Sequence, residues 1–496
     1  MTDVTSGESR AASRRWWGLG IIALAQMMVV LDTTVVFIAL PSAQRAVNLS
    51  VLDRQWVVTA YTLTFGGLLL LGGRLGDLFG RRRTLLIGVI GFAIASAAGG
   101  AAVNATMLIS TRAAQGACAA MLAPSALALL STIFTDPKER GRAFGAFSIA
   151  LMTGGAFGQI LGGALTQYLG WRWCFYVNVP IGAAVVVGAF LTLPNPPGRP
   201  GRKLDPFGVV LGCGGMVALI YALGEAGAKG WSSLWTLLPF AASAVLLVAF
   251  ALAQARVVEP LLPLRLFADR NRTGAYLAVA SATFGTLGMF LFMTFQLQSV
   301  MGYSPVRAGL SFMPYVVGAI IATRLVTRIL PRFGPRLLVA LGLLLVAVGL
   351  LVLTQDKLHS PYAEYILPGM LLCGLGMGGV FAPSMSTATT SADPRDAGVV
   401  AAVVNTSQQI GGSIGTALLN TIAAGGATAY VAAHHGLGSL RDLATVHGNA
   451  VACAWAAGVL LAVAILVVLL IKPVPPARAE SPAEPAVAAS TPRGSS

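Results

Sequence analysis

Gly72-Gly73-Arg74-Leu75-Gly76-Asp77-Leu78-Phe79-Gly80-Arg81-Arg82-Arg83 is a short charged turn set between two long apolar runs. Its glycines supply the backbone freedom that a tight reversal needs. The flanking runs, near 56–76 and 84–103, each have about the 20 apolar residues a helix needs to cross a hydrocarbon core. Arginines beside a membrane crossing collect on the cytoplasmic side, so Arg81, Arg82 and Arg83 mark the side on which this turn sits.

The rest of the chain has the same character. Hydrophobic residues make up 56% of the 496 positions and charged ones 10%, whereas soluble domains carry about 25% charged residues. An all-α polytopic membrane protein is therefore expected. A soluble chain of this length would divide into about three domains, but one that buries itself in lipid need not. The net charge of +15 raises nucleic acid as a partner, yet no basic stripe interleaved with aromatics is present on a polar surface. The charge follows topology instead. Of the 33 Lys and Arg residues, Arg45, Arg54, Arg172, Lys229, Arg307, Lys357 and Arg441 fall at the far ends of the runs and Arg112 inside one. All others lie on the side of the arginine-rich turn, which places both termini in the cytoplasm and the chain in the cell membrane.

Fourteen spans are expected, near 16–40, 56–76, 84–103, 107–130, 144–169, 173–193, 206–224, 232–255, 273–298, 306–329, 335–354, 363–387, 397–424 and 449–471. The run after the polar residues 1–15 is too long for a signal-peptide core and reads as an uncleaved first span. Cys118, Cys174, Cys213, Cys373 and Cys453 all fall in or at the ends of apolar runs, as small core hydrophobes rather than disulfides or metal ligands. Residues 425–448 form the longest outer loop, with His434, His435 and His447 as solvated features. The tail 473–496, rich in Pro, Ala and Ser, is expected to be disordered.

An internal repeat organises these spans. Ala123-Pro124, Asp136-Pro137 and Gly155-Ala156-Phe157-Gly158 recur as Ala382-Pro383, Asp393-Pro394 and Gly412-Ser413-Ile414-Gly415. Gly141 to Gly158 and Gly398 to Gly415 have the same separation, and Arg324 to Arg336 weakly echoes the arginine-rich turn without an acid to match Asp77. Two copies of one six-helix unit fit this pattern. The expected organisation is a cytoplasmic tail (1–15), an N-terminal six-helix bundle (16–193), a linker with two extra transmembrane helices (194–272), a C-terminal six-helix bundle (273–472) and the tail.

Charge inside a membrane is costly, about 2.5–3.5 kcal/mol at mid-helix, and defaults to function. Asp32 in the first span and Arg112 in the fourth qualify, at depths that allow contact. A carboxylate withdrawn from water holds its proton more tightly, while a nearby guanidinium opposes this. The pair can therefore serve a protonation cycle or act as a static pair that fixes helix register. Ala150, Gly154, Gly158 and Gly162 recur every four residues and line one helix face, where a neighbouring backbone can approach closely. Tyr61, Gln159, Gln296, Gln298, Tyr315, Asn405, Gln408 and Gln409 are candidates for a substrate cavity or for interhelical glue. Met289, Phe292 and Met293 would give an adaptable apolar wall or ordinary core. No lysine follows a glycine, so a phosphate loop is absent and energy must come from a gradient.

The order from Gly73 to Arg83 resembles the signature loop between the second and third helices of the major facilitator superfamily. The resemblance implies a conformational latch formed by Gly73, Asp77, Gly80, Arg81 and Arg82. Leu31-Asp32-Thr33-Thr34-Val35-Val36 with Ala39-Leu40-Pro41 resembles the first-helix motif of the fourteen-helix drug:proton antiporters, and Arg112-Ala113-Ala114-Gln115-Gly116 their fourth-helix motif. Gly154 to Gly163 resembles the exporters' fifth-helix motif through Gly154, Gly158, Gly162 and Gly163, with Gln159 where that motif has proline. Trp171-Arg172-Trp173-Cys174-Phe175-Tyr176-Val177-Asn178-Val179-Pro180-Ile181-Gly182 is similar to the sixth-helix entry of the same branch. The resemblance implies a proton-coupled, monomeric exporter of small, largely apolar drugs or antibiotics, with Asp32 and Arg112 as its coupling pair. It also implies no cofactor and no enzymatic reaction. A solute importer or proton symporter on the same scaffold, and a non-transporting membrane sensor, stay open as other classes. The second half offers no clear intramembrane acid, because Asp356, Glu364, Asp393, Asp396 and Asp442 sit at loops or helix ends. Dicationic drugs are therefore expected to be exported weakly.

Overall fold

The computed structural model describes residues 2–50, 53–134, 136–195, 205–257, 260–262, 264–358, 360–390, 397–434 and 440–472. The 473–496 tail, Asp393-Pro394, Asp396 and His435 lie outside them. The described residues contain helices and connecting turns but no strand. In order the helices are α1 (Thr2–Ala46), α2 (Arg54–Phe79), α3 (Arg81–Gly100), α4 (Ala105–Ile133), α5 (Pro137–Ala164), α6 (Trp173–Tyr176), α7 (Asn178–Thr192) and α8 (Pro206–Lys229). They continue as α9 (Leu234–Arg256), α10 (Arg265–Ala268), α11 (Arg270–Phe295), α12 (Pro305–Ser311), α13 (Met313–Leu353), α14 (Ile366–Thr390), α15 (Ala397–Ala433) and α16 (Leu440–Leu470). Five-residue π-turns, Leu165–Leu169 and Gln296–Val300, extend α5 and α11.

Helix ends follow local chemistry. Gly80, at φ 94° and ψ 133°, holds a backbone conformation open mainly to glycine and separates α2 from α3. Gly334, at φ 70°, breaks α13 in the same way, within the echo of the arginine-rich turn. Asn104 caps α4 by accepting from the Met107 N–H at 2.8 Å, as N-cap amides do.

Among the described residues, eleven helices are long and apolar enough to cross a membrane, or twelve if Arg54–Leu69 and Leu71–Phe79, inclined at 52°, form one bent crossing. The count differs from the expected fourteen in part because the 49-residue unit Pro305–Leu353 counts once although Gly334 breaks it. The expected loop 425–448 is largely helical, because α15 runs to Ala433 and α16 begins at Leu440. His434 and His447 stack on Tyr430, with ring centroids 4.2 and 4.9 Å apart, rather than standing free in a loop.

The glycine faces set the closest helix contacts. A Cβ on Gly162 would lie 2.9 Å from Val35 Cα, and one on Gly158 would strike Thr34 Oγ1, so α5 lies directly on α1. Gly415, the repeat counterpart of Gly158, sits equally tightly against Phe284, where α15 lies on α11. Helix α8 covers the seam between α2 and α15, with Leu63, Ile220, Leu223 and Ala417 in one cluster and the Thr421 hydroxyl donating to Leu223 O at 3.0 Å. Helix α9 is the outermost of the pair and exposes Leu234, Trp235, Leu238, Val245, Val248 and Leu252, as a lipid-facing surface does. The molecule is a multi-pass membrane protein.

Candidate functional site

Helices α1, α2, α3, α4 and α7 converge on the carboxylate of Asp32, which has no solvent exposure. Arg112 Nη1 donates to Asp32 Oδ2 at 2.5 Å. Asp32 Oδ1 accepts from Gln115 Nε2 at 3.0 Å and from Asn178 Nδ2 at 2.8 Å. Ser96 on α3 accepts from the same two amides, at 2.6 and 2.9 Å. Arg112 is itself held on three sides: Nε donates to Val57 O at 2.9 Å, Nη1 also reaches Gln115 Oε1 at 2.9 Å, and the guanidinium lies 4.3 Å from the Tyr61 ring centroid. Each oxygen of the Asp32 carboxyl group is thus met by donors, as buried polar atoms require.

Asp32 and Arg112, singled out in the sequence, are in direct contact. Gln115, Asn178 and Ser96 were not assigned there. Gln115 was detectable as the polar residue three positions after Arg112, hence on the same helix face. Asn178 is the one amide in the apolar run 174–187. Ser96 in an Ala- and Gly-rich helix carried no signal. Gly411-Gly412-Ser413-Ile414-Gly415 has the spacing of a nucleophile elbow, but it lies inside α15 rather than at a strand-to-helix turn.

At the arginine-rich turn, Arg81 Nη2 meets Asp77 Oδ1 at 3.6 Å across the Gly80 break. Arg81 Nη1 donates to Ala128 O and Thr132 Oγ1 at the end of α4, at 2.9 and 2.7 Å. Arg82 Nη2 reaches Phe190 O on α7 at 3.3 Å. Gly73 runs beside Pro124, so the ends of α2, α3, α4 and α7 at this turn are joined here. In α5, Gly154 packs on Met27, Gly163 lies against Pro305 and Val306, and the buried Gln159 presents its backbone carbonyl to Gly309 of α12.

The opposite end is closed by bonds between the first and second parts of the chain. Thr59 and Thr416 share a hydroxyl hydrogen bond of 2.9 Å, and Ser413 Oγ donates to Thr62 Oγ1 at 2.6 Å. Arg54 Nη2 donates to Asn420 Oδ1 at 3.5 Å and Gln298 Nε2 to Ile38 O at 2.9 Å. Successive partners descend antiparallel along α2 and α15, and a Cβ on Gly66 would lie 2.7 Å from Gln409 Cβ.

Five of the eight cavity candidates lie on different elements: Tyr61 on α2, Gln296 in the π-turn after α11, Tyr315 on α13, and Asn405 and Gln409 on α15. Tyr61 belongs to the Asp32 network, and Gln296 donates to Asp356 Oδ2 at 2.9 Å. Tyr315 stands edge-on to Phe290, centroids 4.9 Å apart, while Asn405 and Gln409 lie on α15. Asp356 is in a loop, as read from the sequence, but it is buried rather than solvated. A loop acid that folds back onto a helix end leaves no trace in hydropathy.

The description Major Facilitator Superfamily matches residues 22–416. The chain is 48% identical to the puromycin resistance protein pur8 of Streptomyces alboniger, with 92% of each covered. It is 36% identical to the cephamycin export protein CmcT of Amycolatopsis lactamdurans over 96% of each. Among solved structures, a bacterial homologue of the human lysosomal transporter Spinster, inward-facing and unoccupied, superimposes with a TM-score of 0.64 at 17% identity. The match covers 92% of this chain and 97% of that one. A family description spanning most of the chain and a relative of near-half identity along almost its full length leave one assignment: the chain belongs to the major facilitator superfamily.

Proposed function

We propose that the protein is a proton-coupled exporter of small, largely apolar drugs or antibiotics, placed in the cell membrane with both termini cytoplasmic. It works by alternating access between two six-helix bundles, 16–193 and 273–472, with α8 and α9 as the extra pair that completes fourteen crossings. The equivalent glycine contacts of α5 on α1 and α15 on α11 support the two bundles. Relatives named for puromycin resistance and cephamycin export support the substrate class.

The observation that carries the coupling is the sealed Asp32 carboxylate and its three donors, Arg112, Gln115 and Asn178. With the arginine-rich turn cytoplasmic, the bonds along α2 and α15 close the outer end. When that end opens, a proton from outside neutralises Asp32. Arg112 then loses its counter-charge and keeps Val57 O and Gln115 Oε1 as acceptors. The rearranged helices release the drug outward, and return of the empty site delivers the proton inside. Tyr315, Asn405 and Gln409 line the drug's path, while Asp77, Arg81 and Arg82 latch the cytoplasmic ends. One charge crossing 100 mV supplies about 2.3 kcal/mol, against about 1.4 kcal/mol for a tenfold gradient of a neutral compound.

Everted membrane vesicles with an acidified lumen test the proposal. They accumulate labelled puromycin, a protonophore abolishes the accumulation, and Asp32→Asn abolishes both drug uptake and drug-dependent proton movement. Accumulation only in right-side-out vesicles would establish import, and proton movement untouched by Asp32→Asn would remove Asp32 from the mechanism.

A further inference from the structure

Asp356 lies between α13 and α14, at the end of the molecule opposite the arginine-rich turn. It is 6% exposed and Gln296 is 1% exposed. Gln296 Nε2 donates to Asp356 Oδ2, but Asp356 Oδ1 and Gln296 Oε1 are both buried with no hydrogen-bond partner among the described residues. Two acceptor atoms without a donor, in one bonded and buried pair, are an expensive arrangement if the carboxylate is charged. A proton on Asp356 converts an acceptor into a donor and removes the charge at the same time.

The surroundings are mixed. The negative charge of Glu364 opposes ionisation of Asp356, and Tyr365 stands beside Glu364. The Gln296 amide and the Lys357 backbone N–H favour the ionised form. Burial outweighs both and lifts the Asp356 carboxyl to about 6. Gln296 also opens the π-turn Gln296–Val300, a wide helical ring of the kind that recurs at functional sites. The same turn carries Gln298, whose amide donates to Ile38 O on α1, the helix that bears Asp32.

We infer that Asp356, held by Gln296, is a second proton-binding site, on the outer side of the second half and separate from Asp32. Protonation there weakens the charge-assisted bond to Gln296, and the π-turn passes that change to the contact of Gln298 with α1. The site goes beyond the coupling role proposed for Asp32 and does not require it.

Infrared difference spectra of the full-length protein in lipid nanodiscs, titrated from neutral pH to about pH 5 across the carboxyl range, test the site. The expected result is a protonated-carboxyl carbonyl band with a midpoint at about 6, present in the wild type and in Asp32→Asn and absent in Asp356→Asn. Gln296→Leu moves the midpoint upward, because the lost amide stabilised the ionised form. This arm decides the matter even if Asp356→Asn folds poorly. Absence of the band from the wild type, its survival in Asp356→Asn, or an unmoved midpoint in Gln296→Leu would overturn the site. A midpoint that shifts when sodium replaces choline at fixed ionic strength would also overturn it, by making a metal cation the occupant. The Asp32→Asn arm separates failure here from failure of the transport mechanism.

Discussion

Asp32 and Asp356 are both buried carboxyl groups, but their partners differ in charge. Asp32 faces a guanidinium and two amides, so neutralising it strands Arg112, which is 1% exposed, with no counter-charge. Breaking one side of a buried ion pair costs about 3–5 kcal/mol. Asp32→Asn is expected to lower the thermal unfolding temperature of the purified protein, and adding Arg112→Gln to restore much of it. A fully additive loss in the double variant would show that the two charges do not stabilise one another. Asp356 has no such partner among the described residues. Its folded-state value of about 6 lies above the ordinary 3.8, so folding favours the neutral form. The stability it contributes is fully present below the unfolded value and is lost as the pH rises through about 6. The apparent unfolding temperature should therefore fall between pH 4 and pH 6 less steeply in Asp356→Asn than in the wild type. Equal slopes would mean that Asp356 titrates alike in the folded and unfolded chains.

Among the elements, α5 lies directly on α1. A Cβ on Gly162 would meet Val35 Cα, which is backbone and cannot turn aside, whereas one on Gly155 would sit 3.8 Å from a Val30 methyl in ordinary contact. Gly162→Ala is therefore expected to cost about 1–3 kcal/mol, as overpacked sites do, and to reduce drug tolerance of expressing cells. Gly155→Ala should do neither. A normal unfolding temperature in Gly162→Ala would mean that the two helices can separate without loss. This glycine face was legible from four-residue spacing alone, and so was the turn at Gly80, because small residues and charge leave periodic marks in an apolar chain. The break at Gly334 was partly legible from the echo of the arginine-rich turn at Arg324 to Arg336. The Asn178 and Ser96 contacts were not, since they depend on which faces of α3 and α7 meet α1. Hydropathy records how long a helix is apolar and says nothing of its rotation against neighbours. Asp356 escaped for the same reason, as its loop position fixed its depth along the chain but not its fold onto Gln296.

For the whole molecule, the question is whether the closed end has to open. The contacts that close it, Thr59 with Thr416 and Thr62 with Ser413, are hydroxyl pairs with small net energies, about 0.5–1.5 kcal/mol each. Weak, replaceable bonds suit a seam that parts in every cycle. A long apolar interface would hold one state too firmly, since burial contributes about 25 cal/mol per Å². Helix α8 bridges the seam through Leu223 and through the Cys213 thiol on Gly67 O at 3.1 Å, so it has to slide as the seam parts. A covalent tie across the hydroxyl pair tests this directly. In a background with the five native cysteines replaced, Thr59→Cys with Thr416→Cys places two thiols where hydroxyl oxygens now stand 2.9 Å apart. Oxidation should reduce drug export to the level of cells lacking the protein, and a reductant should restore it. Either single cysteine should be indifferent to oxidant. Export that continued through the oxidised, cross-linked protein would mean that the drug leaves without this seam opening, and alternation between the two bundles would have to be given up.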